Sequence, residues 1–318
     1  MTSLRRMQQV RVSVDNFARA ETHRMMAGLQ RDAGGINRFR HNRVPAPVDQ
    51  QTVIRMNRDT LYSFAVLDLS AGATVTVPGA GARYLSVMVV DEDHYIDRVL
   101  HDPGRYELTP ADRGSPYVVV AARILFDPSS DADLAEVHSL QDGLTLAAPA
   151  SRPFSHPEYD QETHQQVREA LLVLARTMGG YSGAFGSEED VDPVHHLIGT
   201  ASGWGGLPDA EASYINVDPR LPVGRYTMTF RDVPADAFWS VSVYNAAGYF
   251  EPGPSGITNV NSVFATANDD GSTTVRLGDH GDLPNAIPLP EGWNLLIRLY
   301  RPRLDELATW PVPEIVAS

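Results

Sequence analysis

The sequence predicts a mainly β protein with inserted helices, built as two jelly-roll-like β-sandwich domains related by internal duplication. Three observations carry this. Short strand patterns punctuated by Gly and Pro recur along the 318 residues. The clearest helical periodicity sits between the two strand-rich regions. Residues 86–95, SVMVVDEDHY, are echoed by residues 240–249, SVSVYNAAGY.

The elements follow in order. Phe17, Met25 and Leu29 at helical spacing predict a helix over 15–33 that stops at Gly34-Gly35. Pro45 and Pro47 then break the chain, and from Val53 the pattern turns to strand. Strands are expected at 60–69, 73–77, 84–90 and 117–126, the last an apolar run interrupted by Arg123. GAGAR at 79–83 reads as a hairpin loop. A helix over 131–144 places Leu134, Val137, Leu140, Gln141 and Leu144 on one face. A second over 161–178 carries the stripe Val167, Leu171, Leu174 and Met178 and stops at Gly179-Gly180. Ser187–Asp190 resembles a capping box opening a short helix. GWGGLP at 203–208 is a breaker-rich hinge. Strands return at 226–230, 238–244, 273–277 and 293–300, with a hairpin signal at Asp269-Asp-Gly-Ser272.

The repeat extends beyond the quoted segments. TVTVP ending at Pro78 matches YTMTFRDVP ending at Pro234, and AARILFDP around Arg123 matches LIRLYRP around Arg298. Matches in the same order predict two copies of one β-domain. The expected organisation is an N-terminal helical segment (1–44), a first β-domain (45–130), a helical insertion and hinge (131–203) and a second β-domain (204–318).

Composition narrows the chemistry. The net charge of -14 repels phosphate backbones, so nucleic acid is not an expected partner. The first 44 residues hold nine Arg against three acids, scattered as on a solvated helix face. No apolar run approaches the roughly 20 residues that span a bilayer. The N-terminus lacks an apolar h-region and a small-residue cleavage site. A soluble, cytoplasmic protein without a membrane partner is expected, and a homo-oligomer is compatible with it. The absence of Cys removes thiol nucleophiles, disulfides, iron–sulfur clusters and Cys-ligated zinc. Lys is absent too, since all 26 basic residues are Arg. That removes Schiff-base chemistry, covalent PLP attachment and the P-loop lysine. No H-x-H or H-E-x-x-H spacing and no dinucleotide fingerprint appears. No cofactor and no metal is therefore expected, although Asp91, Glu92 and Asp93 hold the oxygen ligands a hard cation takes.

Several segments taken together resemble one bacterial family. They are NRDTLYS (57–63), DHY (93–95), GWGG (203–206), FWSVSVYNA (238–246), NDDGS (268–272) and GWNLLIRLYRPR (292–303). The family pairs domain of unknown function 1254 with domain of unknown function 1214. The resemblance covers the chain from about residue 45 to the end. It implies two jelly-roll-like β-domains with helical elaborations, and no reaction or catalytic residue.

The residues themselves supply a candidate site. If 86–95 stays extended, Val87, Val89, Asp91, Asp93 and Tyr95 share one face and Met88, Val90, Glu92 and His94 the other. The strand begins apolar and ends charged, which suits a proton-transfer group at the mouth of a domain and equally suits a strand running into a solvated turn. Asn57, Arg58, Asp59 and Tyr62 add hydrogen-bonding side chains before a strand, with a local Asx turn as the plainer alternative. In the functional reading His94 is the acid/base, Asp59 or Asp93 fixes its tautomer, and Tyr62 takes part in catalysis. Asn57, Arg58, Arg123, Trp204, Tyr244 and Arg298 would contact the substrate. Arg123 lies in an otherwise apolar strand and needs a partner, which a structural ion pair to an acid would also provide. No G-x-S-x-G elbow appears.

These readings predict an enzyme that works without a redox cofactor on a small organic molecule by acid/base chemistry, as hydrolysis, elimination or isomerisation. The alternative is a non-catalytic β-sandwich module that binds a glycan or small ligand. An enclosed histidine within reach of a carboxylate would favour the first.

Overall fold

Apolar stretches too short for helices dominate the chain, and in the computed structural model they pair into sheets. The structure describes residues 9–51, 54–110, 115–251, 253 and 255–318. The start of the N-terminal stretch and Val53 lie outside the described residues. The chain forms two compact units. Met1–His41, Tyr62–Ile124 and Glu136–Pro208 make the first, and Asn42–Leu61, Leu125–Ala135 and Asp209–Ser318 the second. The second unit thus takes in two segments that linear order groups with earlier parts of the chain.

Apart from Thr60, Leu61, Leu125 and residues 131–135, which fall to the second unit, the first unit runs α1 (Phe17–Asp32), β1 (Arg40–His41), β2 (Thr60–Asp68), β3 (Ala73–Val77), β4 (Leu85–Val90), β5 (Arg98–Leu100), β6 (Gly104–Leu108), β7 (Tyr117–Leu125), α2 (Asp131–Gly143), β8 (Thr145–Ala147), α3 (Gln161–Ala175) and α4 (Pro193–Gly203). One sheet has the order β1-β2-β7-β4-β5 and the other β6-β3-β8. β4 is buried along its whole length and β7 along nearly all of it, as continuous apolar runs require, whereas β3 alternates buried and half-buried residues. β4 pairs antiparallel with β7 in a register that sets Ser86 opposite Arg123. GAGAR is not a hairpin loop, because β3 and β4 belong to different sheets. The helices pack around Phe17, Ala20, Tyr159, Leu171, Ile198 and Ala201. Leu171 is buried as its stripe predicts, but Leu174 is exposed.

Ser187–Asp190 opens no helix; Ser187 Oγ donates to Asp190 Oδ2 within a turn. α4 begins at Pro193 instead. Its cap is Asp192, whose side chain accepts from the N–H groups of Val194 and His195, and Pro at the first turn forfeits no intrahelical bond.

The second unit runs β9 (Ala212–Val217), β10 (Tyr226–Phe230), β11 (Ala235–Tyr244), β12 (Asn259–Asn261), β13 (Thr273–Leu277), β14 (Ala286–Ile287), β15 (Asn294–Pro302), α5 (Leu304–Leu307) and β16 (Val316–Ala317). Its sheets have the orders β12-β11-β15-β9 and β14-β13-β10-β16. Alternation sends Trp239, Val241, Val243, Leu295, Ile297 and Leu299 into a core shared with Met228, Phe230, Val275 and Leu277 of the other sheet. Each large side chain so buried contributes about 1.5–3 kcal/mol. The opposite face of β11 and β15 carries Ser240, Ser242, Tyr244 and Arg298, with Ser240 opposite Arg298. The turn at Asp269–Ser272 forms, but it joins strands of different sheets and is not a hairpin.

With β1 and β14 set aside, the strand orders of the units coincide. The sequence β2-β7-β4-β5 corresponds to β9-β15-β11-β12, and β6-β3-β8 to β13-β10-β16.

Candidate functional site

β4 ends at Val90, and the charged segment after it does not stay extended. Asp91 Oδ1 accepts the N–H groups of Asp93 and Tyr95, each at 2.8 Å, which makes an Asx turn. His94 then takes φ 71°. The face assignment expected through Tyr95 therefore fails beyond Val90. Burial, together with Asp93 and Asp97, pushes the Asp91 carboxyl up to about 7.

His94 is completely buried. The Gly205 N–H donates to its Nε2 at 2.8 Å, so that nitrogen is an acceptor and Nδ1 carries the proton. Nδ1 lies 2.8 Å from Thr200 Oγ1, whose own proton goes to the His196 carbonyl. The ring stacks between Trp204 and His196, at 5.3 and 5.5 Å. Burial and the adjacent His196 push His94 well below its ordinary range. Neither ring nitrogen of His94 meets a carboxylate: one accepts a backbone N–H and the other faces a threonine hydroxyl. The expectation that Asp59 or Asp93 orients it also fails. The groups that fix its tautomer are Thr200 and a backbone amide, while Asp93 ion-pairs with Arg19.

Arg123, Trp204 and Tyr62 belong to the same structural feature of the first unit. Arg123 Nη2 donates to the Gly205 carbonyl, and its guanidinium lies 5.3 Å from the centre of the Tyr62 ring. Tyr62 also stacks on Phe64 at 5.5 Å. Trp204 Nε1 donates to Thr22 Oγ1 at 3.0 Å. The Gly205 peptide is thus held at its N–H by His94 and at its carbonyl by Arg123, and φ 78° there favours glycine.

The remaining predicted residues gather inside the second unit. Arg298 donates to Ser242 Oγ and Tyr244 Oη at 2.8 Å and to the carbonyls of Arg55 and Met56 at 2.8 and 3.3 Å. Asp59 accepts from Ser240 at 2.6 Å and Asn259 at 2.7 Å. Asn57 accepts the Asp59 N–H and donates to Tyr300 Oη at 3.0 Å. Arg58 lies over the Phe250 ring at 6.0 Å. Burial pushes the Asp59 carboxyl up, against the pull of Arg298 and of its two hydrogen-bond donors. Asp59, Tyr244 and Arg298 are all buried, so their contacts hold the 55–59 segment against the sheet.

A carboxylate-bound histidine lies elsewhere in the first unit. His23 of α1 places Nε2 2.8 Å from Glu92 Oε2, and Tyr159 Oη lies 3.0 Å from its Nδ1. The second Glu92 oxygen is 2.7 Å from Ser115 Oγ. All four residues are buried. Burial opposes charge on Glu92, but hydrogen bonds from His23 and Ser115 outweigh it and hold the carboxyl below its ordinary range. Burial raises the Tyr159 phenol, which keeps its proton and donates. His23 then carries its proton on Nε2, toward Glu92, and offers Nδ1 to the phenol. His156, exposed, stacks on Tyr159 at 5.9 Å. Sequence reasoning missed this chain. The available signal was Glu21 and His23 on the buried stripe of α1 with Phe17, Ala20 and Met26. Glu21 is held by Arg24 at 2.6 Å and lies 3.0 Å from His164, which is also buried.

Two family descriptions match the chain in tandem. "Protein of unknown function (DUF1254)" covers residues 36–148, and "Protein of unknown function (DUF1214)" covers 218–304. The chain belongs to this DUF1254–DUF1214 family. The VPA0106 protein of Vibrio parahaemolyticus has a similar crystal structure, with TM-score 0.72 and 18% identity over 96% of this chain and 97% of that one. An uncharacterised protein from Burkholderia cenocepacia is also similar, with TM-score 0.52 and 13% identity over 95% of this chain and 87% of that one. At these identities the likeness speaks for the DUF1254–DUF1214 fold alone. No curated protein matches the chain. No helix among the described residues is long and apolar enough to cross a membrane.

Proposed function

We propose that this DUF1254–DUF1214 protein is an enzyme that transfers protons on a small organic molecule without a redox cofactor, with His23 as its base. The observation that carries this is the position of His23 between Glu92 and Tyr159. A carboxylate on one imidazole nitrogen fixes the tautomer and stabilises the imidazolium that forms when the other accepts a proton. The Tyr159 oxygen is the end of the chain that meets substrate. It passes its proton to His23 Nδ1 and takes one from the substrate. Hydrolysis, elimination and isomerisation all use such a transfer.

The experiment is deuterium wash-in. Protein in D₂O is incubated with an extract of bacterial small metabolites, and mass spectrometry finds any compound that gains deuterium. His23→Gln and Tyr159→Phe should abolish the gain. A complete absence of exchanging compounds, or exchange that survives both substitutions, overturns the reading.

We also infer that both units descend from one duplicated, jelly-roll-like β-domain. Two features support this: the coincident strand orders, and the Ser–Arg pair in the same register, Ser86 with Arg123 and Ser240 with Arg298. Each arginine holds backbone carbonyls of the segment lying over its sheet, Gly205 in one unit and Arg55 with Met56 in the other. One ancestral device accounts for both more simply than two independent ones.

A further inference from the structure

Two shallow depressions meet on the first unit. One, of about 480 Å³, is lined by Arg31, Arg38, Gly34 and Gly35 past the end of α1, and by Ser151. The other, of about 890 Å³, runs from Arg38 and Ile36 over Ala73 and Leu108 to Leu146 and Pro149. Ile36, Arg38 and Ser151 line both, so they are two ends of one groove. We propose that this groove binds an aliphatic monocarboxylate, with its head on Arg38 and Arg31 and its chain over Ile36, Ala73 and Leu146.

Charge selects the head. The arginine end has no acid in its lining, and Glu107 stands only in the lining of the other depression. Arg38 is exposed, and Arg31 meets its nearest acid, Asp32, at 3.7 Å. A planar guanidinium fork matches a carboxylate, and two arginines at one end of an acidic protein mark where an anion enters. Shape selects the tail. The floor is apolar, with Ile36, Ala73 and Leu108 buried beneath it. Each depression falls within the roughly 300–1,000 Å³ of small-ligand sites.

The wall is built in advance. Asn37 Nδ2 donates to the Ala150 carbonyl at 2.8 Å, and Gln30 exchanges two hydrogen bonds with the Phe154 backbone, at 2.7 and 3.2 Å. Asp68 takes the backbone N–H of Arg152 at 2.8 Å and its guanidinium at 3.0 and 3.1 Å. The strip over residues 149–154 is therefore fixed to the end of α1 and to β2 before any ligand arrives, which removes the ordering cost of binding.

The test titrates the ¹⁵N-labelled full chain with decanoate, decanol and decylamine and follows amide shifts. Decanoate should give saturable shifts at Gly34, Gly35, Thr74 and Ala147. Arg38→Ala should weaken it by about tenfold and Arg38→Glu by more. Arg276→Ala, in β13 of the second unit, should change nothing. Decanol or decylamine binding as tightly as decanoate, undiminished affinity in Arg38→Glu, or no saturable shift at those amides overturns the proposal. It stands or falls independently of the role of His23.

Discussion

The backbone N–H of Gly205 points at Nε2 of His94 from 2.8 Å, and the Gly205 carbonyl receives Arg123. A single peptide is held at both ends by side chains from one sheet and the turn that follows it. His94→Ala removes the acceptor for Gly205 and the partner of Thr200 and leaves a cavity between Trp204 and His196. We expect a loss of about 3 kcal/mol in urea denaturation. A loss below about 1 kcal/mol would return His94 to the list of free functional groups.

Arg298 has a larger structural role than Arg123. Arg298→Met leaves two carbonyls and two hydroxyls without their donor and strips a positive charge from beside buried Asp59. Arg123→Met loses the Gly205 contact and the stacking on Tyr62. Denaturant midpoints should place the first at about 3–5 kcal/mol and the second at about 2 kcal/mol. The reverse order would contradict the contact geometry.

Glu21 sets part of the acid limit. Burial opposes its charge, but the hydrogen bonds from Arg24 and His164 prevail and hold the carboxyl down to about 2, against an ordinary 4.5. A carboxyl depressed on folding stabilises above its unfolded value and loses that contribution as pH falls through the folded one. Stability should therefore decline between pH 4.5 and 2. Thermal midpoints of Glu21→Gln should be lower at neutral pH and flatter across that window.

Asp91 works in the opposite sense. Its carboxyl is pushed from 3.8 up to about 7, so the folded state binds the proton more tightly and stability falls as pH rises across that window. Asp91→Asn keeps an acceptor for the N–H groups of Asp93 and Tyr95 and removes the charge. Its midpoint should hardly change between pH 4 and 7, where the parent loses stability.

Much of the architecture was legible. The apolar strands at 85–90 and 238–244 and the helix at 17–32 follow from local pattern. Short strands such as β5, β8 and β12 were not, because three residues hold no periodicity to read. The face assignment past Val90 failed for one physical reason. Alternation was carried past Val90, where the Asp91 side chain captures the backbone and ends the strand. His94 then turns inward as a packing residue. His23 on α1 lies 69 residues from its carboxylate partner Glu92, and its phenol comes from a stretch before α3, so only the tertiary fold joins them.

The proposed proton transfer requires Nδ1 of His23, which faces Tyr159, to be the basic nitrogen. Long-range ¹H–¹⁵N NMR of protein labelled at histidine, assigned with His23→Gln, reads this directly. The predicted spectrum shows the proton on Nε2 and the lone pair on Nδ1, a tautomer balance that shifts in Glu92→Gln. A ring protonated at Nδ1 and unmoved by Glu92→Gln would contradict it.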